Sequence, residues 1–303
     1  MEVAEKFIDQ GESIKFVLQA LGISRSSFYY TSYSIKKVGR PVSHITMKVG
    51  GTWVNNSTVI ADIKRILSQE FVDYGYLKMT YELNDEDYQY IINAKKVYRL
   101  MRENELLNIG RVKVTRTPRE WVKTLLPQAT IDFSYWEIDI KYMPIQGDDR
   151  YALMLTVIDV VSRWNMGFIM KWNINYTHVI ELIESIIKVY PLPKKVILRN
   201  DNGSQFECNM VRQYLIKKGI WQEFIRPATP EQNAHIEAYH SIVESSICQK
   251  YELDTLKMGC DTVNRFRVFY NFKRRHSGIE YRSPYRYFLD KGIDMKAYLQ
   301  QWK

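Results

Sequence analysis

The middle of the chain alternates between two spacings of apolar residues, one typical of strands and one typical of helices. Short runs in which every second residue is apolar predict strands, and longer runs with apolar residues three and four apart predict helices. The predicted strands cover residues 136–145, 150–162, 165–171, 195–200 and 221–226, and the predicted helices cover residues 177–190, 209–218 and about 232–253. This order of elements predicts an α/β domain at residues 131–255.

The rest of the chain carries helical patterns and linker-like composition. Residues 1–32 are typical of a helix-turn-helix, with a first helix at about 12–21, a turn at Gly22 and Ser24 as N-cap of the second helix. The remaining predicted segments are a linker at 33–56, a helical, helix-turn-helix-like DNA-binding unit at 57–110, a basic linker at 111–130 and a helical, basic C-terminal segment at 256–303. Small all-α units are therefore expected to precede the α/β domain.

Three acidic residues have distinctive positions in the predicted α/β domain. Asp139 lies on a strand, on the face opposite Ile138 and Ile140. Asp201 ends a short apolar strand and is followed by Asn-Gly, a strong turn signal, so it lies where α/β sheets usually bind ligands. Glu237 lies on a predicted helix whose other side is apolar and can pack on the sheet.

Carboxylates in these three positions predict an oxygen-ligand site for two divalent metal ions. Mg²⁺, or Mn²⁺ in its place, is hard and prefers oxygen ligands. Two such ions can hold the attacking and leaving oxygens of a phosphodiester in line, which is the chemistry of phosphoryl transfer. We expect Asp139 to bridge both ions, Asp201 to complete one site and Glu237 to complete the other.

Charge and composition are compatible with a polyanionic partner. The chain has 303 residues, a net charge of +9 and three cysteines without the pairing of a zinc site. It has no secretory signal pattern and no run of 18 apolar residues, so we expect a cytoplasmic, nucleoid-associated protein without a membrane span. Double-stranded DNA is one polyanion that this charge suits, although many ordinary proteins reach such values.

Basic residues in four places are candidates for DNA contact. Residues 95–123 hold nine Lys or Arg against three acids, and residues 265–275 hold five cations and no acid. The candidate DNA-binding residues are Arg25, Lys95, Lys96, Arg99, Arg102, His240, Arg265, Arg267, Lys273, Arg274 and Arg275.

Motifs along nearly the whole chain resemble those of one family. In the first part of the chain they are A-L-G-I-S-R-S-S-F-Y-Y at 20–30, D-Y-G-Y-L-K-M-T-Y-E-L at 73–83 and K-K-V-Y-R-L-M-R-E-N at 95–104. From the α/β domain onward they are W-x-x-D ending at Asp139, V-I-D-x-x-S-R at 157–163, D-N-G-S-Q-F at 201–206, P-x-x-P-E-Q-N-A-H-I-E at 227–237, Y-N-x-x-R-x-H at 270–276 and S-P at 283–284. The chain resembles DDE transposases with a retroviral-integrase-like core. The match is closest to the second-reading-frame product of bacterial insertion sequences that use two overlapping frames.

The resemblance implies a fold, an activity and partners. The implied fold is ribonuclease-H-like, a mixed five-stranded sheet flanked by helices, with the first and fourth strands adjacent so that Asp139 and Asp201 meet. The implied activity is cleavage at the element ends with water as nucleophile, followed by strand transfer with the freed 3′-OH. The implied substrates are terminal inverted repeats and target DNA. A homo-oligomer on DNA and an upstream-frame transposase subunit are the further expected partners.

Three departures from the family pattern stand out. Glu244 occupies a position, two turns after Glu237, where relatives carry Lys or Arg that contacts DNA. A carboxylate there should repel phosphate unless a neighbouring cation neutralises it, such as Lys250 or one from the 265–275 segment. Arg275 replaces the usual Pro of the Y-N motif, and Arg199-Asn200 replaces the frequent His-Ser before the second Asp.

Alternatives remain open at this point. The chain could be a ribonuclease-H-like nuclease of another class, or a catalytically silent DNA-binding regulator derived from a transposase. The helix-turn-helix units could mediate protein contacts, and His240 could be a solvated residue. We expect Asp159 to be a structural carboxylate bonded to backbone or to Arg163, and the aromatic residues at 266–272 to belong to the core.

Overall fold

The computed structural model describes residues 2–33, 42–107, 129–226, 229–296 and 298. The chain divides into two units, Met1–Ile45 and Thr46–Lys303. None of the helices in these described ranges is long and apolar enough to cross a membrane. The predicted basic linker at 111–130 and the beginning of the predicted linker at 33–56 fall largely outside the described residues.

The first unit contains three helices, α1 (Glu2–Asp9), α2 (Ile14–Ala20) and α3 (Arg25–Tyr33). Helices α2 and α3 are the two that the sequence predicts, whereas α1 was not predicted. Gly22 makes the turn between them with a φ of +64°, and the Ser27 N–H donates to Ser24 Oγ at 3.0 Å, so Ser24 caps α3 as expected. Val17, Leu18 and Phe28 are buried between the helices.

The second unit begins with a small helical region that also holds a three-stranded sheet. Its elements are β1 (Ile45–Lys48), β2 (Trp53–Asn55), α4 (Asn56–Leu67), α5 (Tyr76–Leu83), β3 (Tyr90–Ile91) and α6 (Ala94–Glu103), and the strand order is β2-β1-β3. The prediction of a linker is therefore wrong over residues 45–56, which form two strands and the first residue of α4. Gly50 and Gly51, with φ of +90° and +85°, turn the chain between β1 and β2, and Asn55 caps α4 through the Ser57 N–H.

A mixed five-stranded sheet forms the centre of the second unit. Its strands are β4 (Tyr135–Ile145), β5 (Arg150–Asp159), β6 (Asn165–Lys171), β7 (Val196–Asn200) and β8 (Ile220–Phe224). The strand order is β6-β5-β4-β7-β8, with antiparallel pairing from β4 to β6 and parallel pairing among β4, β7 and β8. This is the ribonuclease-H-like arrangement, which confirms the predicted fold class and the adjacency of the first and fourth strands.

Helices cover both faces of this sheet. Their bounds are α7 (Tyr176–Val189), α8 (Ser204–Glu207), α9 (Asn209–Lys217), α10 (Ala234–Val243), α11 (Leu256–Phe272) and α12 (Pro284–Leu289). Trp136 and Ile138 of β4 pack on one face with α7 and α9, whereas Met143 and Ile145 pack on the other face with α10 and α11. Successive side chains of a strand alternate between faces, so Asp139 lies on the side of α10.

The single long helix predicted at 232–253 is wrong in its extent. A 3₁₀ turn at Pro230–Asn233 leads into α10, and a π-helical turn at Glu244–Cys248 ends it. Beyond that turn, Leu253 exchanges backbone and side-chain hydrogen bonds with Gln146, in the turn between β4 and β5. π-helical turns of this kind are frequent at functional sites.

The C-terminal helices bind the helical region to the sheet. Phe266, Phe269 and Tyr270 of α11 are buried, which confirms that the aromatic residues at 266–272 belong to the core. Phe71 lies against both Phe266 and Phe269, at ring centroid distances of 5.4 and 6.0 Å. The helical region at 46–107 therefore shares one hydrophobic core with α10 and α11.

Candidate active site

Asp139 and Asp201 lie at the same edge of two adjacent parallel strands. The β4–β7 register pairs Glu137 with Arg199, and two residues further along both strands are Asp139 and Asp201. The side chain of Asp201 accepts the Gly203 N–H at 3.0 Å. Burial and the charge of Asp139 outweigh that bond and raise the pKa of Asp201 above its usual value. A cation between the two carboxylates would relieve this repulsion.

Asp139 is half-buried and contacts the helix that carries Glu237. One oxygen, Oδ1, accepts the Ile140 N–H at 2.8 Å, and the other, Oδ2, lies 3.4 Å from His240 Nδ1. His240 follows Glu237 on α10 by about one turn. The exposed side chain of Glu237 thus starts from a helix turn next to Asp139.

A buried carboxylate, Glu137, fixes α10 against the sheet. It is fully buried on β4, two residues before Asp139, and accepts the Ile236 N–H at 2.8 Å. Its other oxygen lies 2.9 Å from His235 Nδ1. A carboxylate at the first turn of a helix is favoured because it satisfies a free N–H and the helix dipole. Glu137 therefore sets the position of Glu237, a role that the sequence did not disclose.

Arg199 attaches the strand that leads to Asp201 to the turn before α10. Its guanidinium donates to the carbonyl oxygen of Gln232 at 2.5 Å and pairs with Glu223 at 3.1 Å. The hydroxyl of Tyr135 also bonds to Glu223. The Arg199 side chain is buried, so these bonds satisfy a charge that would otherwise be costly. The unusual residue before the second Asp therefore has a structural role.

The donor chemistry of Asp139, Asp201 and Glu237 fits a hard divalent cation. All three are carboxylates, and the first two repel each other across adjacent strands. Over the described ranges, no group of three or more His, Cys, Asp or Glu side chains is close enough to hold a metal ion. The three carboxylates therefore supply suitable ligands but are not gathered around one point.

Glu244 forms an ion pair with a residue of the same strand as Asp139. Its Oε2 lies 2.8 Å from the ammonium of Lys141, whose side chain is only 14% exposed. A neighbouring cation therefore neutralises Glu244, as the sequence allows, but it is Lys141 and not Lys250. Lys250 instead reaches the carbonyl oxygen of Val72, at 3.4 Å. Burial and the charge of Glu244 raise the pKa of the Cys248 thiol to about 12, so Cys248 also lies against this carboxylate.

Asp159 is a structural carboxylate, as predicted. It is fully buried and accepts hydrogen bonds from the Phe133 N–H, the Ser162 N–H and the Ser162 hydroxyl. Arg163 donates instead to the carbonyl oxygen of Val160, at 2.5 Å. Asp159 therefore shapes the turn between β5 and β6, and this turn ends β5 three residues before its predicted end.

The prediction that residues 265–275 form a cationic surface is wrong for most of the cations in that segment. Arg267 and Arg274 are buried, and Arg274 makes a two-bond pair with Asp73. Arg275, in the place of the usual Pro, pairs with Glu82 and Asp85. Arg274 and Arg275 therefore bind the helical region of their own chain. The carboxylates that neutralise them belong to that region and lie about 190 to 200 residues earlier in the sequence.

Two cations of that segment remain at the surface. Arg265 is exposed and pairs with Glu70 at 3.2 Å. Lys273 is also exposed, and its carbonyl oxygen accepts the Tyr74 hydroxyl. Neither forms a continuous stripe with the buried arginines.

The other predicted DNA contacts lie on helix surfaces. Lys95 and Arg102 of α6 are exposed, and Lys96 and Arg99 are half-buried beside them. Burial and the charge of Arg99 lower the pKa of Lys96, which indicates that the two cations are close. Arg25 is exposed at the start of α3, with its guanidinium 5.8 Å from the ring centre of Tyr29.

Comparisons with known families agree with this architecture. Residues 129–230 and 218–284 match integrase core domain families, and together they span about half of the chain. Residues 55–114 match the HTH-like domain family.

Individual relatives come from bacterial insertion elements. The 39.2 kDa protein of insertion element IS476 from Xanthomonas euvesicatoria is 28% identical over 70% of this chain and 59% of its own length. The transposase for insertion sequence element IS904 from Lactococcus lactis is 25% identical over 73% of this chain and 90% of its own length. The chain thus spans under two thirds of the first of these relatives.

Two solved integrase cores are similar to part of the chain, both with TM-scores below 0.5. The HTLV-2 integrase catalytic core domain in complex with magnesium, in a dimeric form, is 15% identical with a TM-score of 0.40 and covers 50% of this chain and 94% of that one. The catalytic core domain of BIV integrase is 17% identical with a TM-score of 0.37 and covers 53% of this chain and 96% of that one.

Proposed function

Since this chain belongs to the integrase-core transposases of insertion elements, we propose that it cuts DNA at the ends of such an element and joins the freed 3′ ends to target DNA. The observation that carries the proposal is that Asp139 and Asp201 each lie two residues beyond the last paired residues of adjacent parallel strands, beside a helix that carries Glu237. Carboxylates in this arrangement suit phosphoryl transfer assisted by divalent metal ions.

In this proposal the three carboxylates bind the metal ions. Asp139 would be the shared ligand, because Asp201 follows the neighbouring strand and Glu237 lies on the helix that contacts Asp139 through His240. Two Mg²⁺ or Mn²⁺ ions would supply charge neutralisation and activation of the attacking oxygen. The buried bonds of Glu137 and Arg199 hold the start of α10 and the end of β7 in place, which supports fixed backbone positions for the proposed ligands.

His240 orients Asp139 in the absence of metal. Its Nδ1 lies 3.4 Å from Asp139 Oδ2, which leaves the other carboxylate oxygen bonded to the Ile140 N–H. A cation that takes Asp139 Oδ2 would displace this contact. His240 could then face the DNA strand that enters beside Glu237.

DNA binding is assigned to the HTH-like domain and to the first unit. Lys95, Lys96, Arg99 and Arg102 form a cationic face on α6, at positions that follow one side of a helix. Arg25 lies at the start of the second helix of a helix-turn-helix, where residues meet the DNA groove. The proposal includes terminal inverted repeats and target DNA as substrates, action as a homo-oligomer, an upstream-frame subunit, and a cytoplasmic, nucleoid-associated location.

The experiment is an end-cleavage assay. Purified chain is mixed with a labelled duplex made from the end of the element that encodes it, with Mg²⁺, with Mn²⁺ and with a chelator. We expect a nick at the 3′ end of the element and joined products, both dependent on metal. Binding without any cleavage in either metal would favour the silent DNA-binding regulator, and cleavage of every duplex or of RNA–DNA hybrids would favour another nuclease class.

A further inference from the structure

The Lys141–Glu244 pair lies on the face of the sheet that carries the candidate active site. Lys141 follows Asp139 by two residues on β4, so both side chains project from the same face, with Cα atoms about 6.6 Å apart. Glu244 follows Glu237 by seven residues, about 10.5 Å along the helix. The pair therefore borders the site on the side toward the β4–β5 turn.

The exposures of the two partners are unequal. The Lys141 side chain is 14% exposed and the Glu244 side chain 41%. The buried ammonium group of Lys141 is costly to leave without an anionic partner, whereas the Glu244 carboxylate remains partly accessible to water. The arrangement holds one ammonium group ready beside the carboxylates.

Glu244 also affects which anion Lys141 can reach. Without Glu244, the nearest carboxylate on its own strand face is Asp139, and an ammonium bound there would compete with a metal ion. Held by Glu244, the ammonium lies away from Asp139 while remaining on the same face. The π-helical turn that begins at Glu244 directs this side chain toward β4.

We propose that Lys141 binds a DNA phosphate next to the reacting one, and that Glu244 is a positioning residue that holds its ammonium group until DNA arrives. This inference rests on the proposed function, because it assumes that DNA enters over Asp139. The phosphate replaces Glu244 as the partner of Lys141. The cation at the DNA end thus comes from the strand, not from the helix.

The test compares DNA binding by Lys141→Gln, Lys141→Arg and Glu244→Gln in the full chain. The probe is a fluorescent duplex made from the element end, titrated at several salt concentrations without divalent metal, so that no strand is cut. The matched controls are Lys188→Gln and Glu184→Gln, which remove a cation–carboxylate pair of 3.4 Å on α7, on the other face of the sheet.

The proposal predicts opposite signs for the two partners. Lys141→Gln should weaken binding and lower the salt slope by about 0.9, so the deficit grows about eightfold for each tenfold dilution of salt. Lys141→Arg should keep most of the affinity. Glu244→Gln should tighten binding at low salt, because the phosphate no longer competes with a carboxylate. The control variants should bind like the parent.

If the Lys141–Glu244 pair only stabilised the fold, the two variants would change the protein in the same direction. Lys141→Gln and Glu244→Gln would then lower the melting temperature alike and leave the salt slope at the parental value, which would overturn the inference. A separate cleavage assay with Mg²⁺ compares the parent with Asp139→Asn. This assay tests the proposed function independently of the binding measurements. Loss of cleavage in Asp139→Asn with parental binding by Lys141→Gln would reject only the role of Lys141.

Discussion

At the scale of single residues, Asp159 makes stability depend on pH in an unusual direction. Burial raises its pKa from 3.8 to about 6, against the hydrogen bonds of Ser162. Because the folded state holds this proton more tightly, its contribution is complete below pH 3.8 and is lost as the pH rises to about 6. Two pKa units correspond to about 3 kcal/mol.

We therefore predict that Asp159→Asn flattens the fall in stability between about pH 4 and pH 6. The measurement is the urea midpoint of unfolding at a series of pH values. Asp148→Asn, an exposed change in the turn between β4 and β5, is the matched control. An unchanged pH profile in Asp159→Asn would mean that another group carries the dependence.

A second prediction at this scale concerns the buried pair of Arg274 and Asp73. Burial acts to raise the pKa of Asp73, but the hydrogen bonds and charge of Arg274 outweigh it and hold that pKa below its usual value. Asp73→Ala leaves the buried guanidinium without its carboxylate and should cost about 3–5 kcal/mol. Thermal or urea unfolding measures the loss.

The matched control is Glu70→Ala. Its pair with Arg265 joins the same two parts of the chain but is exposed, at 44% and 52% for the two side chains. This change should cost about 1 kcal/mol or less. Equal losses in Asp73→Ala and Glu70→Ala would show that burial of Arg274 does not decide the energetics.

Single residues also mark the limit of what the sequence predicts. Asp139 and Asp201 could be placed because alternation and a turn signal act within a few residues of each. Arg274 and Arg275 could not, because their partners lie near residues 73–85 and no local pattern reveals them. Glu137 was missed for the same reason, since its partners begin α10.

At the scale of elements, α6 presents the cationic face assigned to DNA. Lys95, Arg99 and Arg102 follow one side of the helix, with Lys96 beside them. Replacing all four by Ala should weaken DNA binding and reduce the salt slope by about 0.9 for each phosphate that the helix no longer neutralises. Affinity measured at several salt concentrations tests this.

A matched control removes cations from another helix. Lys217 and Lys218 are exposed at the end of α9. This helix packs on the face of the sheet opposite to the one that carries Asp139. Their replacement by Ala should leave the salt slope unchanged. If the α6 variant kept the parental salt dependence of DNA binding, the HTH-like domain would instead be expected to contact protein.

The sequence predicts the elements in which apolar residues recur at a regular spacing. It does not predict the elements whose bounds depend on contacts distant in sequence. The five strands of the central sheet follow from apolar alternation, because one or both of their faces are buried. Strands β1 and β2 were taken as linker, because glycines and polar residues form a turn there as readily as a flexible segment. The segment that follows α10 bonds to Gln146, about 100 residues away in sequence, so no local pattern of apolar residues predicts its path.

At the scale of the whole molecule, the second unit combines the HTH-like domain and the integrase core around one hydrophobic core. Arg274, Arg275 and Arg286 bind the acidic stretch from Asp73 to Glu86, so the cationic face of α6 is carried on the same unit as Asp139. DNA bound to α6 would accordingly have a fixed relation to the candidate active site.

The measurement that tests the central claim most directly is strand cleavage and joining by Asp139→Asn, Asp201→Asn and Glu237→Gln. Each change removes the anionic charge of a proposed metal ligand and keeps the shape of the side chain. All three should abolish both steps in Mg²⁺ and in Mn²⁺, while the melting temperature and binding of the element end stay close to those of the parent. Near-parental cleavage by any one of them would contradict the role assigned to that carboxylate.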